Sequence, residues 1–509
     1  VKRRATAAGL AVAVALAALL AHARSAGFAF TDLDDRDLIV DDQAFLARPA
    51  NLARAFGRAY MHVVDPAHAY YRPLVTISYG LDAQWSGARP LGYHLTNLAL
   101  HALASVFFLA VLRRFAMPPL VAGAFAIAFA VHPTLTAAVA WIPGRNDSLL
   151  AVFALAAWLM LLHDRDRPSR AHRALHLAFF ALALLTKETA VALPLVWSLQ
   201  AVIVDRGATP PGQGRETSTR GRRRVALVYV GGWAALVGAA AVAHAALGGG
   251  ASAGGLVRNL PQLFASLGKV VFPVDPAVLA TPDDVSPWPG VVAALGIAAG
   301  ARFVHGVRPA VVAFGMSAFV LLLLPVLATP GTLVLDNRLY LPACGALLAV
   351  AEIARAAAFE RAEPTEPKLF LGLAAVALLV LVAITAGYEE SFRDPLAFAR
   401  AAVVGAPRSP LAHFCLGKAY QTEGDDDRAL AEYETSLALG PGEVVHNNIA
   451  VIHMAHARWA DAERELREEL ATDPRYARAY DNLAIVLRRE GRDEESRAAT
   501  ETARELEAE

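Results

Sequence analysis

The chain has 509 residues, of which 56% are hydrophobic and 18% charged, a balance that excludes an ordinary soluble globule and indicates an integral membrane protein. Lys plus Arg and Asp plus Glu both total 47, so net charge points to neither nucleic acid nor an acidic partner, no nucleic-acid partner is expected, and only the placement of charge informs. The two cysteines, Cys344 and Cys415, are far apart and suggest neither a disulfide framework nor a metal cluster.

In chain order, Lys2, Arg3 and Arg4 precede a run of roughly 17 mostly apolar residues, enough for a short span. It reads as a retained anchor, with a cleaved signal peptide as the alternative because AHARSAG supplies small residues near a cleavage site. Ten more apolar runs follow, at 91–112, 118–137, 148–162, 174–186, 189–204, 225–247, 288–304, 309–327, 341–356 and 369–387, so about eleven spans are expected. Arg113 and Arg114, the arginines from Arg165 to Arg173, the basic stretch 205–224, Arg302 with Arg308, and Arg355 with Arg361 and Lys368 fall in alternate loops, which the positive-inside rule assigns to the cytoplasm. Keeping 205–224 inside requires a break at Thr186-Lys187-Glu188, with two short helices over 174–204. The stretch 256–274 is less apolar and carries Pro261, so it is expected to be interfacial or re-entrant.

An odd number of spans from a cytoplasmic N-terminus puts the C-terminal region outside the cytoplasm, together with the loops 25–90, 138–147, 248–287 and 328–340. The loop 25–90 is long for a connector, and AFLARPANLARAFGRAY within it has the spacing of a short amphipathic helix on the membrane surface.

Beyond the last apolar run, Leu416-Gly417, Tyr420, Ala429, Tyr433 and Pro441 match the tetratricopeptide pattern of two helices with small residues where they cross. A second unit carries Ile449-Ala450, Ala462 and Pro474; a weaker third carries Tyr480, Leu483-Ala484 and Gly491. About three repeats over 408–509 are expected, the usual minimum for a stable stack, as a surface that recruits a protein or peptide.

Ionisable residues near membrane depth are costly and mark functional sites. Six clusters fall on the external side: Asp41 and Asp42 in DLIVDDQAF; Arg72 and Asp82 in YYRPLVTISYGLD; His94 and Asn97 in GYHLTN; His132, Arg145 and Asp147 in VHPTLTAAVAWIPGRND; Lys187 and Glu188 in TKETA; and Arg338 and Tyr340 in LDNRLYLP. A carboxylate can take the proton of an acceptor hydroxyl, while Arg and Lys can hold a phosphate. The set points to one site at the outer membrane surface that handles a lipid-borne, phosphate-linked leaving group. Arg338, one turn before Pro342 at the mouth of a span, is the foremost phosphate ligand. His94, His101 and His132 lack HExxH spacing and a Cys partner, so neither a metal nor another cofactor is expected.

Plainer roles stand beside these. Asp42 can cap a helix that begins at Gln43, Arg72 can pair with a carboxylate, and Arg145 and Asp147 can pair locally. His132, ahead of Pro133, can satisfy a broken helix end, and Lys187 and Glu188 can be solvated loop residues.

DLIVDDQAF, YYRPLVTISYGLD, GYHLTNLALHAL, AVHPTLTAAVAWIPGRNDSLLA, LLTKETAVALPL and DNRLYLP, in this order and followed by the repeats, make the sequence resemble GT-C glycosyltransferases. Within that superfamily it is most similar to the transmembrane and tetratricopeptide-repeat-containing (TMTC) O-mannosyltransferases and their bacterial relatives. The resemblance covers nearly the whole chain and is thinnest over 225–327. It implies an all-α fold, with a polytopic GT-C-type membrane domain over 1–390 followed by a tetratricopeptide α-solenoid. It implies transfer of a mannose-like sugar, with inversion, from a polyprenyl-phosphate donor to a protein Ser or Thr hydroxyl on the non-cytoplasmic side. The donor is dolichyl-phosphate mannose in the eukaryotic relatives; a bacterial chain, in the inner (plasma) membrane with periplasmic repeats, would use an undecaprenyl-phosphate sugar of open identity. An aspartate of the first external loop is the base in the superfamily, and Asp41 or Asp42 matches that place. Two alternatives remain: transfer to a lipid or cell-wall glycan, and a membrane-anchored scaffold in which the repeats do the work. A transporter would collect its charges near the bilayer midplane instead.

Overall fold

The computed structural model describes residues 2–60, 70–204, 219–246, 255–273, 276–328, 333–359, 366–440 and 444–508. They form two compact units, the first made of residues 1–276 and 285–394 and the second of 277–284 and 395–509.

In the first unit the longer helices are α1 (Lys2–Ala21), α2 (Pro73–Ser86), α3 (Pro90–Arg114), α4 (Pro119–Ala130), α5 (Arg145–Asp166), α6 (Arg170–Leu184), α7 (Leu193–Ile203), α8 (Thr219–Ala246), α9 (Leu256–Val271), α10 (Trp288–Phe303), α11 (Pro309–Ala328), α12 (Tyr340–Phe359) and α13 (Glu366–Glu389). Several start at proline, whose fixed φ suits a first turn and whose missing N–H is not needed there. All eleven apolar runs are helical among the described residues, but they are not eleven helices of spanning length. Six, at α3, α5, α8, α11, α12 and α13, are long and apolar enough to cross a membrane. A seventh crossing is available if α4 and residues 133–140 count as one element, bent by 49° at the break before Pro133. The basic stretch 205–224 lies outside the described residues up to 218, and from Thr219 it is already helix α8.

The surface of this unit is the reverse of a soluble protein's. Only 6% of the apolar window of α13 is buried, and Leu369, Leu373 and Leu379 stand exposed along it, which suits hydrocarbon rather than water. Helix α9 turns its polar residues inward, burying Asn259, Gln262, Ser266 and Lys269, while Val257 and Leu260 face out. Near its start Asn259 donates to the carbonyl of Leu327, in the last turn of α11, at 3.0 Å. Near its end Lys269 pairs with Asp336, just ahead of α12, and its carbonyl accepts from Thr134 at 2.7 Å. Both ends therefore meet the same end of the bundle, and α9 lies across it. The crossing of α11 and α12 is closed by glycines: a Cβ on Gly345 would lie 2.6 Å from the carbonyl oxygen of Gly315.

The second unit holds α14 (Pro395–Gly405), α15 (Pro410–Glu423), α16 (Asp426–Leu439), α17 (Val445–Ala455), α18 (Trp459–Thr472), α19 (Ala477–Arg489) and α20 (Asp493–Ala508). The last six form three consecutive helix pairs, α15 with α16, α17 with α18 and α19 with α20. Gly417 admits the Tyr433 ring, whose nearest atom would be 2.6 Å from a Cβ there, and Gly424 and Gly491 turn the chain at φ +80. The unit starts earlier than residue 408, because α14 packs ahead of the first pair and Gly405 lies against Ala277. Pro441 is outside the described residues.

Candidate active site

The turn between α6 and α7 gathers the charges. After α6 the backbone is extended at Lys187, and a single 3-10 turn, Glu188–Ala192, leads into α7. The two adjacent side chains take different partners. Lys187 Nζ donates to Asp147 Oδ1 at 2.6 Å and to Asn146 Oδ1 at 2.9 Å, both in the first turn of α5. Glu188 accepts two hydrogen bonds from Arg72, at 3.0 Å from Nε and 2.6 Å from Nη2. Arg72 directly precedes α2 and lies over the Tyr70 ring, 4.4 Å from its centroid. Asp147 is bridged to the start of α12 by Asn337, whose Nδ2 donates to Oδ2 at 2.8 Å.

Two groups in this neighbourhood are left available. Arg338, partly exposed, donates to the Leu333 carbonyl at 3.4 Å and makes no ion pair with a described residue. It shares a cavity of about 10 Å³ with Asp147 and Thr189 at a polar end and Leu322 and Val326 of α11 at an apolar one. Asp34, partly exposed, makes no hydrogen bond or ion pair with a described residue, and Arg72 and Arg338 are the cations whose charge reaches it. Burial pushes its carboxyl up to about 6, helped by Asp37 and opposed by the two arginines. The neighbouring Asp35 anchors this turn: its Oδ2 accepts from both the backbone N–H and the hydroxyl of Thr31, each at 2.6 Å. Burial raises Asp35 to about 7 against those bonds.

Sequence reasoning singled out Arg72, Asp147, Lys187, Glu188 and Arg338, and the structure brings these five together. It missed Asp34 and Asp35, which carry the same signal as Asp41 and Asp42, adjacent carboxylates beyond the first apolar run. The later pair is engaged differently. Asp42 forms a bidentate ion pair with Arg58, at 2.7 and 2.8 Å, and its side chain makes no cap bond to the helix starting at Gln43. Asp41 faces Arg36 at 3.7 Å on the surface.

Four other candidates are built into the scaffold rather than presented to a ligand. Arg145 is fully buried and every guanidinium nitrogen is occupied: Nε donates to Asn97 at 2.7 Å, Nη2 to the Tyr93 carbonyl at 2.7 Å, and Nη1 to Ser78 at 3.2 Å while pairing with Asp82 at 2.6 Å. The Asp147 beside it in sequence is not its partner. His132 bonds the Val270 carbonyl at 2.9 Å and ties the bend after α4 to α9. Tyr340 is buried with its hydroxyl 2.6 Å from His101 Nδ1, and His101 Nε2 meets the Ala130 carbonyl at 2.9 Å. The Nε2–H donates to that carbonyl, so Nδ1 accepts from Tyr340. His94 is buried edge-on to Phe28. Among the described residues no group of three or more His, Cys, Asp or Glu side chains is gathered to hold a metal ion.

No protein-family model matches the chain. It is 36% identical over 201 residues to protein O-mannosyl-transferase Tmtc1 of Drosophila melanogaster, a match that covers 38% of this chain and 23% of that protein. It is 34% identical over 150 residues to protein O-mannosyl-transferase TMTC3 of Mus musculus, covering 29% and 16% respectively. The chain thus matches less than a quarter of the length of these relatives. Among solved structures, ArnT from Cupriavidus metallidurans bound to undecaprenyl phosphate aligns over 92% of this chain and 80% of that one, with 16% identity and a TM-score of 0.40. In sequence, then, the chain resembles the TMTC protein O-mannosyltransferases.

Proposed function

We propose that this chain is a membrane glycosyltransferase that moves a mannose-like sugar from a polyprenyl-phosphate donor to a Ser or Thr hydroxyl of a protein, at the outer face of the membrane and with inversion. The observation that carries this reading is a carboxylate, Asp34, with no hydrogen bond or ion pair among the described residues, whose charge is reached by Arg338, a cation likewise without an ion pair among them, beside the matched charges Arg72–Glu188 and Lys187–Asp147. The similarity to TMTC protein O-mannosyltransferases supports the acceptor class. ArnT is described as bound to undecaprenyl phosphate, the kind of lipid the donor would carry.

Asp34 takes the proton of the acceptor hydroxyl as its oxygen attacks the anomeric carbon from the side opposite the phosphate. The carbon–oxygen bond to phosphate breaks, and its electron pair leaves with the phosphate. Arg338 meets the negative charge that accumulates on that phosphate. The mixed lining suits this donor, since Asp147, Thr189 and Arg338 offer polar groups while Leu322 and Val326 offer apolar ones. The cavity is too small for a phosphate, so donor binding parts these walls. Arg72, held by Glu188, and Lys187, held by Asp147, are neutralised in pairs, which leaves Arg338 as the cation that meets the phosphate. In this reading the N-terminus is cytoplasmic and the helix pairs of the second unit are extracytoplasmic.

Arg338→Gln keeps length and polarity but removes the charge. It is expected to lower kcat about 10²- to 10³-fold, the usual cost of losing one donor to a developing anion, with a smaller rise in KM for the donor. Radiolabel transfer from a polyprenyl-phosphate sugar panel, read against donor concentration, measures both. Unchanged kcat would place the leaving phosphate elsewhere.

A further inference from the structure

The three helix pairs of the second unit divide their charge between two layers. The second helices, α16, α18 and α20, carry fifteen carboxylates against five arginines, whereas the first helices, α15, α17 and α19, carry Lys418, Arg478, Arg488 and Arg489 against Glu423 and Asp481. First helices of successive pairs also approach each other more closely than second helices do, which puts them on the inner side of the curve. Asn482 on α19 donates to Asn447 on α17 across this inner face, at 2.8 Å.

Helical spacing shows what the face presents. In α19 the buried residues are Ala479, Leu483, Ala484, Val486 and Leu487, so Arg478, Asn482, Ile485, Arg488 and Arg489 lie on the other side, with Asp481 the one carboxylate among them. Ile485 is 37% exposed there. Val451 and Lys418 hold the equivalent register on α17 and α15, beside Asn448. The face therefore offers side-chain amides able to bond a peptide backbone, apolar footholds in successive pairs, and cations with few carboxylates. The outer layer, rich in carboxylates, repels the partner that the inner face attracts.

We propose that this inner face binds an extended, acidic segment of a protein, and that this sets which acceptor hydroxyls reach the transferase. The second half rests on the proposed function; the binding does not. The test uses the full chain in lipid nanodiscs, with fluorescent 12-residue peptides of Gly, Ser and Thr containing several Asp and Glu, several Lys, or neither. Tightest binding of the acidic peptide, weakened by salt and about tenfold by Arg488→Glu with Arg489→Glu, is the expected result. Arg478→Glu is the second variant, since it lies at the other end of α19, and Arg464→Glu on α18 should leave binding unchanged. Equal binding of all three peptides, or acidic-peptide binding indifferent to every inner-face variant, would overturn the proposal. Normal acidic-peptide binding with no sugar transfer from any donor would leave the binding face standing and remove the transferase reading.

Discussion

Asp34→Asn is expected to lower sugar transfer by about 10²- to 10⁴-fold, the span typical of removing a general base. Asparagine keeps the shape of the side chain but cannot take the acceptor's proton. In the intact chain kcat/KM for the acceptor should rise with pH through about 6 and then level, as Asp34 ionises. Stability responds in the opposite direction. A carboxyl raised above its usual 3.8 holds its proton more tightly in the folded chain, so its contribution to stability falls as pH rises from about 4 to about 6. Asparagine has no charge to bury, so the variant should melt no earlier than the intact chain near neutral pH. Loss of transfer together with loss of thermal stability would make Asp34 a structural residue instead.

Arg145 has the largest expected effect on folding. Its guanidinium joins Asp82 on α2, Asn97 and Tyr93 on α3 and its own helix α5, all without access to solvent. Arg145→Met leaves the Asp82 carboxylate buried and uncompensated, which costs about 3–5 kcal/mol. Asp82 also accepts from Thr96 at 2.6 Å, a bond that cannot replace a cation. Thermal stability of purified protein should drop sharply and recover in part when Asp82→Asn is added, because the double variant buries no charge. A well-folded Arg145→Met chain that has lost transfer would return this residue to the substrate.

The contrast between Asp34 and Arg145 shows what the sequence reveals and what it conceals. Apolar runs mark membrane helices because hydrocarbon demands them, and Lys187, Glu188, Asp147 and Arg338 stand out as charges interrupting such runs. Their meeting in one recess is foreshadowed because each lies at the end of an apolar run. What a charge does once folded is another matter. Adjacent carboxylates look alike at 34–35 and 41–42, yet Asp34 lies within reach of the charges of Arg72 and Arg338 and Asp35 is bonded to Thr31, while Asp42 meets Arg58, a cation that lies in an irregular loop with no periodicity to announce it. Arg145 looks as available as Arg338 until α2 and α3 close around it. Tyr340 and His101 are joined between helices distant in sequence, and nothing local to either signals the other. An apolar run fixes that a helix is buried or lipid-facing, whereas crossing depends on length, and among the described residues six helices, or seven with the bent pair, are long and apolar enough to cross.

The most direct test is transfer of labelled sugar from a panel of polyprenyl-phosphate donors to protein or peptide acceptors, by membranes containing the intact chain, Asp34→Asn or Asp42→Asn. Transfer by the intact chain, retained by Asp42→Asn and abolished by Asp34→Asn, is the predicted result. Donor binding by a folded chain without turnover across the panel would contradict the account and favour a membrane-anchored scaffold, and transfer that survives in Asp34→Asn but collapses in Asp42→Asn would move the base to the other pair.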